Sequence, residues 1–427
     1  MTSTFRLNSH SETLALLPFQ IGFHPRRSVV AVSMHDRRFG LVQRLDLPPA
    51  EHVDQAAAAL LPGLRREPPT SVLLIGYEDD DGQSLVMLDA LERACADAGF
   101  GLCDKLVVRA GRWRSLHCQD PACCPPDGLP VADSSTVPAV ADYVGRGVCP
   151  LADRDALASR LRPTRPLLVA AVDAAVDAEL DARILAADAL ARGRQAPMVR
   201  RWREELTVWR EVLAPRSGSA RDTVWQPSAQ DLARLAVSML DRDLRDAVLA
   251  WMCPGWLGLD GFDPAMAEVV RELIPRLDPR PAPRSGREPA APWVQDADHA
   301  DDLGEVESRL VTVCAGLPER WAAGPLAVLA WLSWWRGDGA VARVALERID
   351  VTHPGYRLAE LMHTMLDNAL RPGDLGRAGL GPSAAAGSPG GRQRARKRAR
   401  RSTGRGSGHR RAGHTDGGPT LLRADPL

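Results

Sequence analysis

The chain has 427 residues, which is longer than one ordinary domain. At roughly 100–200 residues per domain, we expect two or three folded units. Hydrophobic residues make up 45% of the chain, so each unit can bury a core. The 54 Lys and Arg residues balance the 54 Asp and Glu residues. This balance excludes a uniformly basic nucleic-acid-binding protein and an acidic disordered chain.

Residues 1–165 show alternating strand and helix signals, which predict an α/β N-terminal domain. Apolar, β-branched runs bounded by polar turns predict strands, and alanine-rich amphipathic stretches predict helices. The predicted strands are 28–34, 40–47, 71–77 and 102–109, and the predicted helices are 51–64 and 83–98. The first two strands are separated by a short polar turn, so we expect them to form a hairpin.

Residues 166–274 change to the helical period and predict an all-helical region. The predicted helices are 177–192, 199–213 and 228–252. The last of these is the longest, and Ser228 is its expected N-cap because a serine hydroxyl can accept a free backbone N–H. Residues 275–301 then contain six prolines between Pro275 and Pro292, which predict an extended, unpacked linker.

Residues 302–370 predict a second helical block with a repeat-like hairpin. Predicted helices at 326–336 and 340–349 are joined by a turn at 337–339. Small and apolar residues such as Ala330 and Ala342 fit the positions at which the two helices of a tetratricopeptide repeat approach closely. Such repeats usually bind partner proteins, but a single hairpin can also simply close a helical domain. Both interpretations stay open.

Residues 371–427 predict a disordered basic tail. This stretch has 13 basic and three acidic residues and no aromatic residue, so it cannot bury enough surface to fold. Seven positive charges fall between residues 392 and 401 and could contact nucleic acid phosphates. The candidate contact residues are Arg394, Arg396, Lys397, Arg398, Arg400 and Arg401. A solvated tail without a partner is the alternative.

The sequence gives no signal for export or for the membrane. The N-terminus lacks an apolar region followed by a small-residue cleavage site. The apolar run from Pro325 to Trp335 is shorter than the roughly 18–20 residues that a membrane span needs. Eight cysteines are too few for a disulfide scaffold in a chain of this length. We therefore expect a cytoplasmic protein that does not contact a membrane.

The densest group of reactive residues lies between His117 and Cys124. His117, Cys118, Cys123 and Cys124 precede the turn sequence Pro-Asp-Gly, which places them on a tight loop. Thiolates with a neighbouring imidazole can hold zinc, although the spacing is not the usual Cys-x2-Cys, and adjacent cysteines do not easily face one ion. A fourth ligand would come from afar, from Cys149 or Cys103. Buried structural thiols, a Cys118–Cys123 disulfide or redox switch, and a catalytic nucleophile are the alternatives.

Two further segments carry candidate pocket residues. Gly22 permits a bend before His24, Arg26 and the first strand, so these side chains could stand at the rim of an anion-binding pocket. The alternative is a turn that only feeds a core strand. Arg112 and Trp113 likewise fit either a ligand contact or the end of a strand with a packing tryptophan.

Standard catalytic motifs are missing from the sequence. The chain has no G-x-x-x-x-G-K-[ST], G-x-G-x-x-G, H-E-x-x-H or G-x-S-x-G pattern. The usual nucleotide-binding, dinucleotide-binding, zinc-protease and esterase interpretations therefore lack their marker residues. Whether the protein is an enzyme stays open.

Three segments resemble the actinobacterial domain-of-unknown-function 4192 family. They are Leu16–Pro25 leading into Ser28-Val29-Val30, Gly111–Ser115 followed by Cys118 and Cys123-Cys124-Pro125, and the helical turn Trp334–Gly339. The resemblance covers roughly residues 11–370 and implies a shared domain arrangement. It implies no activity and no catalytic residues, and the basic tail lies outside it.

Three functions are compatible with these features. The first is a non-enzymatic regulatory or scaffolding protein that binds a protein partner. The second is a thiol- or metal-dependent enzyme or sensor with its site at the cysteine loop, for which zinc is a candidate metal and the cofactor is otherwise unknown. The third is a nucleic-acid-associated protein that uses its basic tail.

Overall fold

The computed structural model describes residues 9–35, 38–145, 148–214, 225–253, 257–277, 297–372 and 374. Its first element is helix α1 (His10–Ile21), which starts where the Ser9 hydroxyl accepts the Glu12 N–H at 3.2 Å. The helix ends at Gly22, whose φ of 88° is a left-handed conformation that glycine adopts without strain. The apolar pattern gave no signal for α1, because most of its residues are buried and its sequence contains Pro18.

A six-stranded mixed sheet forms the first half of the described chain, as the α/β prediction requires. The strands are β1 (Ser28–His35), β2 (Arg38–Asp46), β3 (Ser71–Glu78), β4 (Leu102–Arg109), β5 (Arg112–Ser115) and β6 (Leu129–Pro130). Their spatial order is β2-β1-β3-β4-β5-β6. Only β3 and β4 pair in parallel, and β1 and β2 form the predicted hairpin. The sheet therefore joins one crossover unit to antiparallel strands on both sides.

The two faces of the sheet are covered by different elements. Alternate residues of a strand point to opposite faces, so Val72 and Leu74 pack on one side while Leu73 and Ile75 pack on the other. The first side is covered by helices α2 (Val53–Arg66) and α3 (Leu85–Asp97). On the second side, α1 and the helical half of the chain share one continuous apolar core with the sheet.

The rest of the described chain is helical, which confirms the all-α prediction. Its helices are α4 (Pro138–Gly145), α5 (Arg154–Leu161), α6 (Pro166–Ala191), α7 (Ala196–Leu213), α8 (Ala229–Ser238), α9 (Arg242–Met252), α10 (Pro264–Leu273), α11 (Ala297–Gly316), α12 (Ala323–Arg336), α13 (Gly339–Thr352) and α14 (Arg357–Asp367). Within the described ranges, no helix combines the length and apolar character needed to cross a bilayer.

The prediction of one long helix over residues 228–252 is wrong. The chain forms α8 and α9, separated at Met239–Asp241, and the longest helix is α6 with 26 residues. The Asp241 carboxylate starts α9 by accepting the N–H groups of Asp243 at 3.0 Å and Leu244 at 3.2 Å. This cap makes a new helix start more favourable than continuing the old one. Ser228 does cap α8, and Asp231 completes a capping box.

Helices α12 and α13 form the predicted hairpin. Gly337 ends α12 in a left-handed conformation with a φ of 90°, and the Asp338 carboxylate caps α13 through the Val341 N–H at 3.1 Å. Trp331, Trp334 and Trp335 are all buried, so the tryptophans of this hairpin contribute to the core.

Parts of the predicted linker and tail lie outside the described residues. Residues 278–296 of the linker, and residues 373 and 375–427 of the tail, belong to this group. The six candidate nucleic-acid contacts between Arg394 and Arg401 are among them, so that prediction stays a prediction. Helix α11 begins at Ala297, within the range predicted as linker.

A buried cluster of ion pairs holds three helices of the second half together. Glu179 of α6 accepts hydrogen bonds from Arg201 of α7 and, at 3.0 Å, from Arg234 of α8. Arg201 also donates to Glu205 at 2.8 Å, and the Glu205 side chain is fully buried. Burial raises the pKa of Glu179, but the hydrogen bonds from Arg234 and Arg201 outweigh it and hold the pKa below its ordinary value.

We expect Glu179→Ala to lower the free energy of unfolding by about 3 kcal/mol, because it removes the carboxylate that pairs with Arg234 and leaves the buried Arg201 with Glu205 as its close partner. Because the folded state lowers the pKa of Glu179, this contribution is complete above an unfolded glutamate's pKa of about 4.3. It is lost as the pH falls through the lowered value. Urea unfolding at several pH values measures both effects, and the gap between wild type and variant should shrink in acid.

The matched control is Arg192→Ala, which removes an exposed ion pair with Asp188 one helical turn away. This change should cost less than about 0.5 kcal/mol. Equal costs for the two variants would contradict the role of the buried cluster.

Candidate functional site

The cysteine loop follows β5 at the outer side of the sheet. β5 pairs antiparallel with β4, and this pairing places Ser115 opposite Leu106. Residues 116–128 then connect β5 to the short strand β6, which pairs back onto β5 at Trp113 and Leu129. Both ends of the loop are therefore fixed by strand pairing.

Ser115 attaches the start of the loop to β4. Its buried hydroxyl donates to the Asp104 carboxylate at 2.7 Å. The same oxygen accepts the backbone N–H groups of His117 at 3.1 Å and Cys118 at 3.2 Å. The Asp104 carboxylate also contacts His10 of α1, whose Nε2 lies 3.2 Å away. The position of Cys118 thus depends on a chain of polar contacts that begins in the sheet.

A tight turn at Asp120 brings the cysteines together. The Asp120 carbonyl accepts the N–H groups of Cys123 at 3.1 Å and Cys124 at 2.7 Å, and its carboxylate accepts the Ala122 N–H at 2.9 Å. As a result, the sulfurs of Cys118, Cys123 and Cys124 all lie within 4.8 Å of one another. The structure differs here from the expectation that adjacent cysteines do not face one ion, because the turn curves the backbone around a common point.

Contacts within the loop shift the pKa values of Cys118 and Cys123 in opposite directions. Hydrogen bonds from the Asp120 backbone and from the Cys124 thiol lower the pKa of Cys118. Hydrogen bonds with Cys118 and Cys124, and the charges of those groups, raise the pKa of Cys123 to about 11. The first deprotonation is therefore favoured, and a second thiolate beside it is opposed. A bound cation would remove that opposition.

The three sulfurs fit a thiophilic metal ion. Zinc–sulfur bonds of about 2.3 Å in a tetrahedral arrangement put sulfurs about 3.8 Å apart, so no pair of these sulfurs would need to approach by more than about 1 Å. Soft thiolate ligands select zinc or copper(I) over magnesium and calcium. With three protein ligands, a tetrahedral ion would keep one open position.

The other residues predicted for this site lie elsewhere. The His117 imidazole faces Glu92 at 3.4 Å and Asp104 at 3.8 Å, and the three-sulfur group does not include it. Cys149 and Cys103 are exposed and are also outside the group. All eight cysteines are unpaired in the structure. Asp104, Ser115 and Asp120 have positioning roles that no motif in the sequence indicated.

The candidate pocket residues are divided between the segment before β1 and the first half of β5. His24 is exposed, and its backbone N–H donates to Leu151 at 3.0 Å. Arg26 pairs with Asp79 at 3.2 Å. Arg112 donates to the carbonyls of Asp127 at 2.8 Å and Gly128 at 2.6 Å, and Trp113 is buried. Arg112 and Trp113 line a surface depression, whereas His24 and Arg26 do not.

The fold and the site together define a mixed α/β protein with an all-helical second half and a surface loop of three convergent thiols. The chain belongs to the family described as Domain of unknown function (DUF4192), whose model matches residues 11–283 and 284–373. Comparison with curated proteins gave no match, and neither did comparison with solved structures.

Because thiolates rather than thiols are alkylated, the pKa difference within the loop predicts a difference in reaction rate. In metal-free protein we expect Cys118 to react with iodoacetamide at a lower pH than Cys123, whose rate should rise only near pH 11. Mass spectrometry of peptides after timed alkylation measures each site. In urea the two profiles should converge, and profiles that already coincide in the folded protein would refute the assignment.

Proposed function

We propose that this protein is a non-enzymatic cytoplasmic regulatory protein whose loop of Cys118, Cys123 and Cys124 binds a thiophilic metal ion. The observation that carries the proposal is the mutual distance of the three sulfurs, all within 4.8 Å. Thiols that serve only in packing are usually buried and apart. These three converge on a surface loop instead. Zinc and copper(I) are single ions that soft thiolate ligands favour.

The exposure of the loop favours regulation over catalysis. Cys123 is exposed, and Cys118 and Cys124 are half-buried. Catalytic metals generally lie in a shaped cavity that excludes water and holds a substrate. A metal on this loop would instead tie residues 118–124 together and fix the connection between β5 and β6. Binding would thus change the shape of a surface, which is what a partner protein can recognise.

We propose that the protein partner binds to the helical half. Val351 of α13 and Leu361 of α14 are large apolar residues, and 84% and 46% of their respective surfaces are exposed.

Contact between the tail and nucleic acid remains a prediction from charge alone.

We expect the reduced protein to bind about one zinc or copper(I) ion per chain. Cys118→Ser, Cys123→Ser or Cys124→Ser should each weaken binding by more than the roughly 10- to 100-fold that loss of an outer-shell partner costs. Competition with a chromophoric chelator measures the zinc affinity, and a copper(I)-specific chelator measures the other ion. Elemental analysis gives the stoichiometry.

The matched controls are Cys103→Ser and Cys149→Ser, which remove exposed thiols outside the three-sulfur group. Both should bind metal as the wild type does. Equal weakening in a control variant, or no binding of either ion by the reduced protein, would overturn the proposal.

Ser115→Ala tests whether the polar contacts behind the loop position the site. The variant keeps all three thiols but removes the hydroxyl that holds the N–H groups of His117 and Cys118. We expect about tenfold weaker metal binding with little change in the number of ions bound. Ser135→Ala removes a hydroxyl that donates to Asp133 in an exposed turn and should leave the affinity unchanged. Unaltered affinity in Ser115→Ala would show that the loop is positioned by its strand pairing alone.

A further inference from the structure

A surface depression lies beside β4 and β5, away from the three thiols. It is shallow and open to solvent, and its cavity volume is about 30 Å³. Three arginines, Arg109, Arg112 and Arg114, contribute to its lining, together with Asp81 and Asp127. The arginines come from two neighbouring strands and the aspartates from the loops that follow β3 and β5.

Strand register places the three arginines on one face. Arg109 of β4 is opposite Arg112 of β5, and Val107 is opposite Arg114. Because side chains alternate along a strand, these four residues point to the same side of the sheet. Val107 belongs to the core beneath α2 and α3, so the arginines continue that face beyond the helices. Pairing alone therefore gathers three guanidinium groups.

The three arginines differ in their partners. Arg109 forms an ion pair with Asp81. Arg112 is held by two backbone carbonyls, which orient it but do not neutralise its charge. Within the described part of the chain, no carboxylate or other acceptor contacts the Arg114 side chain, which is half-buried. Even with both aspartates ionised, the depression keeps a surplus of one positive charge.

The backbone at Gly128, which lines the depression, packs tightly against β5. Gly128 has a φ of 73°, and a Cβ atom there would lie 2.8 Å from the Trp113 carbonyl. Only glycine allows the backbone to pass so close to β5. The carbonyls of Asp127 and Gly128 are thereby brought within reach of Arg112. Arg112 is therefore positioned before any ligand arrives.

We propose that this depression binds the phosphate group of a small ligand through Arg112 and Arg114. Guanidinium groups donate paired hydrogen bonds that match the oxygens of a phosphate, and Arg114 can offer such a pair. Arg112 already donates from Nε and Nη2 to the two carbonyls, so it would contact the phosphate through Nη1. The cavity volume of about 30 Å³ is far below the roughly 300–1,000 Å³ of pockets that enclose a whole drug-sized ligand, so the depression can contact a phosphate or pyrophosphate group at the surface but cannot bury a cofactor. The depression lies over the last residues of β4, from Val107 to Arg109.

Isothermal titration of the whole protein with inorganic phosphate and with pyrophosphate tests this site. We expect saturable binding of at least one of them and a loss of about tenfold or more in affinity for Arg114→Ala, since a hydrogen bond to a charged group is removed. Arg114→Lys keeps the charge without the paired donors and should bind with intermediate affinity. A thermal melt of each variant confirms that it is folded.

The control is Arg165→Ala, which removes an exposed arginine at the start of α6, far along the chain from this site. Its affinity for phosphate should equal that of the wild type. Equal losses in Arg165→Ala and Arg114→Ala would reduce the effect to general charge and overturn the proposal. The absence of saturable phosphate or pyrophosphate binding, or tighter binding of succinate than of either, would overturn it as well. None of these outcomes decides whether the thiols bind a metal ion, which the chelator competition tests separately.

Discussion

The antiparallel pairing of β5 with β4 is the contact on which both candidate sites depend. At one end it sets Arg112 opposite Arg109, and at the other it brings the Ser115 hydroxyl to Asp104. A slip of one residue would turn every β5 side chain to the other face of the sheet. Trp113 would then leave the core, and Ser115 would no longer reach its carboxylate. The buried Trp113 therefore fixes the register, and the register fixes the polar residues on either side of it.

The helical half supports this arrangement through the far face of the sheet. Leu17 of α1, Ile75 of β3 and Trp209 of α7 belong to one buried cluster. Apolar packing of this kind supplies most of the stability, but it does little to fix the relative orientation of the helices. The ion pairs among Glu179, Arg201 and Glu205 add direction, because a buried charge must face its partner. They constrain how α6 and α7 pack against one another.

The elements that local sequence determines were predictable, and those set by tertiary contacts were not. The β-branched run at Ser28–His35 predicts a buried strand from its own residue types, without knowledge of its tertiary neighbours. Helix α1 gave no signal, since a helix buried on most sides has no polar stripe. The pattern of apolar residues did not predict the break between α8 and α9, because the helical period of apolar residues continues across it. Asp241 is a residue type that commonly caps helices and could have indicated the new helix start.

The same contrast holds for the site. Three cysteines within seven residues marked the loop as unusual from the sequence alone. Their convergence depends on a turn in which one residue, Asp120, accepts three backbone N–H groups through two of its oxygens. The hydrogen bonds of this turn are tertiary geometry that the spacing of the cysteines does not specify. His117 was grouped with the cysteines by proximity in sequence, but Glu92 of α3 and Asp104 of β4 attract its imidazole.

The segment from residue 116 to 128 links the two candidate sites physically. It begins beside Ser115, carries the three thiols, and ends at the carbonyls of Asp127 and Gly128 that orient Arg112. Contraction of the thiols around an ion would act on the same short backbone that forms the wall of the arginine depression. Any influence of a metal on phosphate affinity must be matched by an equal influence of phosphate on metal affinity, because coupling between two binding equilibria is reciprocal.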